Sequence, residues 1–232
     1  MSPHEVAGEV ARAFGELALD TLARQPRFTC AVPGGSVATT VFPELARLSL
    51  PWPRVDVFLA DERFVEPSSP DSNARAVVDS WLRPMAPEQP IFHPMPTTGE
   101  PDEAARLAAR DLADRAGQPP RLDLVMLGVG PDGHVASLFP EHEDWRTRRE
   151  WVIAVRDAPK PPPTRLSLGL QAIASARHVW FVAFGAEKAR AIAAARTDPT
   201  SALPAAVVAR HSQGVRWFLD AAAAATPSST DL

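Results

Sequence analysis

Apolar residues Val6, Val10, Ala13, Phe14, Leu17 and Leu22 recur at nearly helical spacing, so residues 3–25 read as an amphipathic helix that Pro26 ends. The pattern then changes. Residues 28–32 (FTCAV) form a short β-rich run, stopped by Pro33, Gly34, Gly35 and Ser36. Helical periodicity resumes over 37–48, with Pro43 as a kink or a new start. The alternation repeats with a strand at 55–60 (VDVFLA), Asp61, Glu62 and Arg63 at its end, a polar loop at 66–73 and a helix at 74–82. Within the proline-rich stretch 83–96, Ile91 and Phe92 mark a short strand. Residues 101–116 form a helix: Pro101 suits its first turn, and Asp102 and Glu103 match the positive helix start.

The later chain continues in kind. Leu122, Leu124, Val125, Met126 and Leu127 read as a buried strand. It breaks into Gly128, Gly130, Pro131, Asp132, Gly133 and His134, after which a helix can start. Residues 151–155 and 164–170 read as strands, separated by a stiff, extended connection at 158–163 (APKPPP), with a short helix at 171–175. A strong strand at 178–184 ends at Gly185, and a helix covers 186–196. Residues 206–209 and 215–219 are expected as two closing strands, with a frayed tail from Ala221. Strands alternating with helices across short connections predict an α/β fold, a Rossmann-like, mostly parallel sheet with helices on both faces. No linker is long or polar enough to divide the chain, so residues 1–232 are expected to form a single domain.

Composition narrows the class. Of 232 residues, 45% are hydrophobic and 22% charged, ordinary for a globular protein. A net charge of -4 favours neither nucleic acid nor an anionic membrane as partner. Cys30 is the sole cysteine, which excludes a disulfide framework and a cysteine-based zinc site. No apolar run approaches membrane-spanning length and the N-terminus carries no signal-peptide pattern, so a cytoplasmic location is expected. Arginine dominates lysine: only Lys160 and Lys188 are lysines.

Three clusters carry candidate chemistry. Gly34, Gly35 and Ser36 lie between a strand and a helix, where free N–H groups and the helix dipole favour a phosphate. The other reading is a plain tight turn. Alternation sends Asp61 and Arg63 to the same side of the chain, and Arg63 can grip a phosphate through its fork geometry or form an ordinary surface ion pair. Asp132, Gly133 and His134 are the sharpest feature: Asp132 can orient the imidazole and His134 can take a proton from water, against the alternative of a purely conformational turn. Lys188 opens a helix, where its charge opposes the dipole, a local conflict of the kind found at ligand sites. Arg165 and Lys160 flank the proline run, and solubility accounts for them at this level. No metal-ligand spacing stands out.

Taken together, PGGS, DERFV with a following SNAR, LGVGPDGHVASLFP, KPPPTRLSL and FGAEKARAI occur in the order of, and resemble, the 6-phosphogluconolactonase family, from about Pro33 to Ile192. The resemblance implies a fold shared with glucosamine-6-phosphate deaminases and hydrolysis of a sugar-phosphate lactone. It implies no metal or organic cofactor and only a small-molecule sugar-phosphate partner. It makes His134 the general base with Asp132 beside it, and Gly34, Gly35, Ser36, Asp61, Arg63, Gly133, Arg165 and Lys188 the substrate-binding set, with Arg63 and Lys188 on the phosphate. A deaminase or isomerase on the same fold is the rival. Such enzymes typically carry DEY where this chain has Asp61, Glu62 and Arg63, and a glutamate shortly after the DGH, where this chain has Ser137, Leu138 and Phe139. A non-catalytic sugar-phosphate sensor is a third reading, with no spare helix-turn-helix region to support it. Oligomeric state is open, a monomer being compatible with the sequence.

Overall fold

The computed structural model describes residues 1–85 and 87–225. Its strands are β1 (Phe28–Val32), β2 (Val55–Leu59), β3 (Asp61–Arg63), β4 (Ile91–His93), β5 (Leu124–Gly128), β6 (Val152–Val155), β7 (Arg165–Leu168), β8 (His178–Ala183) and β9 (Val215–Leu219). Its helices are α1 (Pro3–Leu22), α2 (Gly35–Leu45), α3 (Asn73–Val77), α4 (Pro101–Ala116), α5 (Leu170–Ser175), α6 (Ala189–Thr197) and α7 (Pro204–His211).

Six strands form one parallel sheet in the order β4-β2-β1-β5-β8-β9. β1 and β2 are buried at every position, as strands covered on both faces must be, and the polar Thr29 and Asp56 among them are hydrogen-bonded. The chain winds outward from β1 through β2 to β4, then returns to β5 on the other side. The topological switch point therefore lies between β1 and β5, and the two glycine turns that leave their carboxyl ends meet there.

α1 begins in a reciprocal cap: Ser2 Oγ accepts from Glu5 N–H, and the Glu5 carboxylate accepts from Ser2 N–H at 2.6 Å. Phe14 meets Phe28 and Trp81 edge-on, and Phe42 packs on Trp81 at 5.2 Å. This aromatic cluster fixes α2, whose first turn carries the Gly34–Ser36 segment. Pro43 sits inside α2 without ending it.

The second sheet was not foreseen. β3, β7 and β6 form a separate antiparallel sheet, in which Asp61 faces Ser167, Glu62 faces Leu166 and Arg63 faces Arg165. Ala60 joins the layers: its N–H donates to Val32 O at 2.8 Å, and its carbonyl accepts from Leu168 N–H at 2.8 Å. Five further expectations change. Residues 206–209 lie in helix α7, not a strand; Pro204 at its first turn starts it, and Ala205, Ala206, Val207 and Val208 are all buried. No helix follows His134; the chain makes tight turns with a single bridge between Val135 and Leu138. The helix expected at 74–82 is α3 followed by a wider π turn at Val78–Leu82, which buries Trp81. A 3-10 turn, Ala186–Lys188, precedes α6. The expected fraying from Ala221 does not hold at Ala223, which is buried with its N–H on Asp220; residues 226–232 lie outside the described residues.

Candidate active site

The cleft at the switch point has a volume of ≈ 370 Å³. His134 enters it from the turn after β5. That turn is closed by Gly130 N–H on His134 O and Gly133 N–H on Gly130 O, both at 2.9 Å, with Gly133 at φ 79. Gly130 has a steric duty: a Cβ there would lie 2.1 Å from His134 Nδ1 and 2.5 Å from Asp132 Oδ1. Only a glycine lets the imidazole and carboxylate close over the backbone.

His134 Nδ1 is 2.5 Å from Asp132 Oδ1. An ionised carboxylate only accepts, so Nδ1 carries the proton and Nε2 keeps its lone pair. Among the described residues Nε2 has no hydrogen-bond partner. Burial pushes the Asp132 carboxyl up, but the hydrogen bond with His134 and the nearby Lys160 ammonium outweigh it and hold the group well below the usual carboxylate range. Phe139 backs the imidazole at 4.9 Å between ring centroids.

Cations line the remaining walls. Arg63 and Arg165 are cross-strand neighbours in the second sheet, an arrangement that costs stability unless an anion lies near. Arg63 Nη1 donates to Asp71 O at 2.7 Å, while its buried Nε has no partner among the described residues. Arg165 is 4% exposed and donates to the carbonyls of Lys160, Pro161 and Pro162 at 2.9, 3.2 and 3.1 Å. Burial pushes its guanidinium down, and the Arg63 charge adds to that. Lys188 faces the cleft from the start of α6 with no hydrogen-bond partner among the described residues; burial lowers its ammonium, against Glu187 and Asp220.

Gly34, Gly35 and Ser36 line the cleft at the first turn of α2, where no side chain caps the helix. A Cβ at Gly34 would lie 1.9 Å from Asn73 Oδ1, so the glycine admits Asn73 into the cleft wall. Asn73 Nδ2 donates to Asp61 O at 2.9 Å and to Asp61 Oδ1 at 3.2 Å. Asp61 Oδ2 accepts from Ser137 Oγ at 2.7 Å, and Ser137 N–H donates to Ser167 Oγ at 3.1 Å. Glu62 points the other way. It is fully buried and accepts from the N–H groups of Arg63, Asn73 and Ala74 at 2.7 Å each. It anchors the loop that brings Asn73 inward.

Of the residues singled out in the sequence, Gly34, Gly35, Ser36, Asp61, Arg63, His134, Arg165 and Lys188 line one cleft, with Asp132 directly behind His134. Gly133 does not line it: it is a buried turn residue whose N–H is already bonded to Gly130 O. Sequence reasoning missed Asn73, Ser137 and Lys160. Lys160 Nζ lies 3.2 Å from Asp132 Oδ2 and 3.4 Å from His134 Nδ1. Its rarity as one of two lysines was the available sign.

The fold and cleft define a doubly wound α/β protein with a histidine–aspartate dyad and a ring of cations at the switch point of its sheet. The chain belongs to the glucosamine-6-phosphate isomerase/6-phosphogluconolactonase family, which it matches over residues 1–217. It is 34% identical to the 6-phosphogluconolactonase of Rattus norvegicus over 235 residues, covering 96% of this chain and 90% of that one. It is 38% identical to the 6-phosphogluconolactonase of Streptomyces coelicolor over 189 residues, 77% of this chain and 72% of the relative. Its structure is similar to a 6-phosphogluconolactonase from Shewanella baltica, with TM-score 0.84, 27% identity and 94% of each chain covered. A monomeric glucosamine-6-phosphate deaminase shares the fold at TM-score 0.79 and 17% identity, over 97% of this chain and 96% of that one.

Proposed function

We propose that the protein hydrolyses 6-phospho-D-glucono-1,5-lactone to 6-phospho-D-gluconate, in the oxidative pentose phosphate pathway. The observation that carries the reading is a histidine with Nδ1 fixed on Asp132 and Nε2 open to a cleft walled by Arg63, Arg165 and Lys188. A lactone is a reactive ester and needs no covalent nucleophile. His134 Nε2 takes a proton from water as the water oxygen bonds to the C1 carbonyl carbon. The carbonyl electrons move onto oxygen, where cleft N–H groups and cations stabilise the charge. Collapse breaks the bond to the ring oxygen, and the imidazolium returns its proton there. The phosphate, held by Arg63, Lys188 and the first turn of α2, fixes the carbonyl relative to His134. The substrate is a charged small molecule, and the reading includes a cytoplasmic location.

Deamination of an amino sugar phosphate fits less well. It needs several acid and base groups, and the segment after the dyad supplies a hydroxyl, Ser137, already committed to Asp61. Among the described residues no helix is long and apolar enough to cross a membrane.

The test is the rate of lactone opening above the spontaneous rate. Wild type is expected to be active, and His134→Ala to lose about 10²–10⁴-fold in kcat with the fold retained. Arg63→Ala and Lys188→Ala are expected to act mainly on KM. Wild-type levels of activity in His134→Ala would overturn the base assignment. Ammonia release from glucosamine 6-phosphate would favour the rival reading.

A further inference from the structure

Lys160 has no role in the mechanism above, yet its ammonium sits on the dyad. Asp132 divides its two oxygens: Oδ1 takes His134 Nδ1–H at 2.5 Å, and Oδ2 takes Lys160 Nζ at 3.2 Å. The ammonium also lies 3.4 Å from His134 Nδ1. Nδ1 already donates its single proton to Asp132, so Lys160 has no acceptor there and its ammonium pairs with the carboxylate.

The segment that delivers Lys160 is braced. Ala158 N–H donates to Pro163 O at 2.9 Å and closes the strap. The buried Arg165 guanidinium binds three successive strap carbonyls, those of Lys160, Pro161 and Pro162. It lies over the Phe139 ring, 5.6 Å from its centre, and the same ring packs on the His134 imidazole at 4.9 Å. One arginine therefore ties the strap backbone to the aromatic surface behind the imidazole. Proline supplies the stiffness: residues 161–163 have restricted φ and lose little entropy on being held.

We propose that Lys160 is a positioning residue. It pins Asp132 Oδ2 so that Oδ1 stays on His134 Nδ1, and the proline strap clamped by Arg165 presents it. The role follows from the geometry. Asp132 is partly exposed and stands on a turn, where a free carboxylate can rotate toward water. With Oδ2 held, rotation would break the bond to Lys160. The imidazole then keeps one tautomer, with the Nε2 lone pair directed at the cleft. The inference rests on His134 as the base of the proposed lactonase.

The test uses Lys160→Met and Lys160→Arg in the full chain, read in two ways. In steady-state lactonase kinetics Lys160→Met is expected to lower kcat about 10- to 100-fold, part of what a positioned base supplies, with KM changed less than about threefold. Lys160→Arg should recover most of kcat, since a guanidinium can still reach the carboxylate. In proton NMR without substrate, the downfield resonance of the His134 Nδ1–H···Asp132 bond should be sharp in wild type and in Lys160→Arg, and broadened or lost in Lys160→Met. A loss confined to KM would overturn the proposal and make Lys160 a substrate contact. A lower kcat with the resonance unchanged would overturn it too. If wild type shows no lactonase activity, the functional reading fails, and the resonance alone still decides whether Lys160 orders the dyad.

Discussion

At the scale of single residues, the site depends on an atom that is missing as much as on those present. Gly130 lets the dyad lie against the backbone, and Gly130→Ala would put a methyl group 2.1 Å from the His134 ring. The imidazole has to move by an ångström or more, and misplacement of that size costs about 10²-fold in rate. The expected outcome is a large loss of kcat with circular dichroism and thermal midpoint close to wild type. The glycine turn and His134 were legible in the sequence because a strand breaking into Gly, Pro, Asp and Gly has few structural meanings. Lys160 was not. Nothing local distinguishes a lysine in a proline run from a solubilising one, and its partner Asp132 is reached only through the tertiary fold. Asn73 and Ser137 escaped for the same reason, since their bonds to Asp61 span 12 and 76 residues.

At the scale of elements, the parallel strands were readable because each is rich in apolar, β-branched or aromatic residues and most are bounded by Gly, Pro or charged positions. The second sheet was not, because β3 has three residues, all charged, and gains its strand conformation from pairing with β7. α7 was misread because a stretch such as AAVV is apolar without a period, which leaves helix and strand undecided. Elements are also where stability at the far end of the sheet is set. Asp56 on β2 is fully buried between Arg27, which donates to it, and His93 on β4, whose other ring nitrogen lies 2.9 Å from Asp111 on α4. Burial pushes the Asp56 carboxyl up, but His93 and Arg27 outweigh it and hold it below its ordinary value near 3.8. A lowered native pKa means the unfolded chain binds the proton first on acidification. The stabilisation is therefore complete above the ordinary value and fades as pH falls from there through the lower native one. Asp56→Asn is expected to cost about 1–3 kcal/mol at neutral pH, because it removes the buried carboxylate shared by partly exposed Arg27 and buried His93. It should also flatten the acid limb of stability below that value. Urea denaturation at neutral pH and near pH 3 checks both effects.

At the scale of the molecule, charge is distributed against its own average. The chain carries a net -4, yet Arg63, Lys160, Arg165 and Lys188 gather at one cleft, where Asp61 lines the wall and Asp132 stands behind His134. A phosphorylated substrate approaching a negative protein is thus drawn to this positive mouth. Raising ionic strength from about 10 mM to about 500 mM shortens the screening length from roughly 30 Å to a few ångströms. kcat/KM is expected to fall several-fold over that range while kcat stays nearly constant, as initial rates at low and saturating lactone would show. The pairing of β1 with β5 carries a further consequence, for the order in which the molecule is made. It joins Thr29 to Asp123 across 94 residues and sets the two glycine turns side by side. The ring contacts among Phe14, Trp52 and Trp81, by contrast, lie within the first 81 residues. A folding chain can bury those tryptophans by short-range closure alone, but it has no cleft until the long loop has closed. In a variant that keeps only Trp52 and Trp81 of the six tryptophans, recovery of fluorescence after denaturation would mark a collapsed first third of the chain, whereas recovery of turnover marks a finished topology.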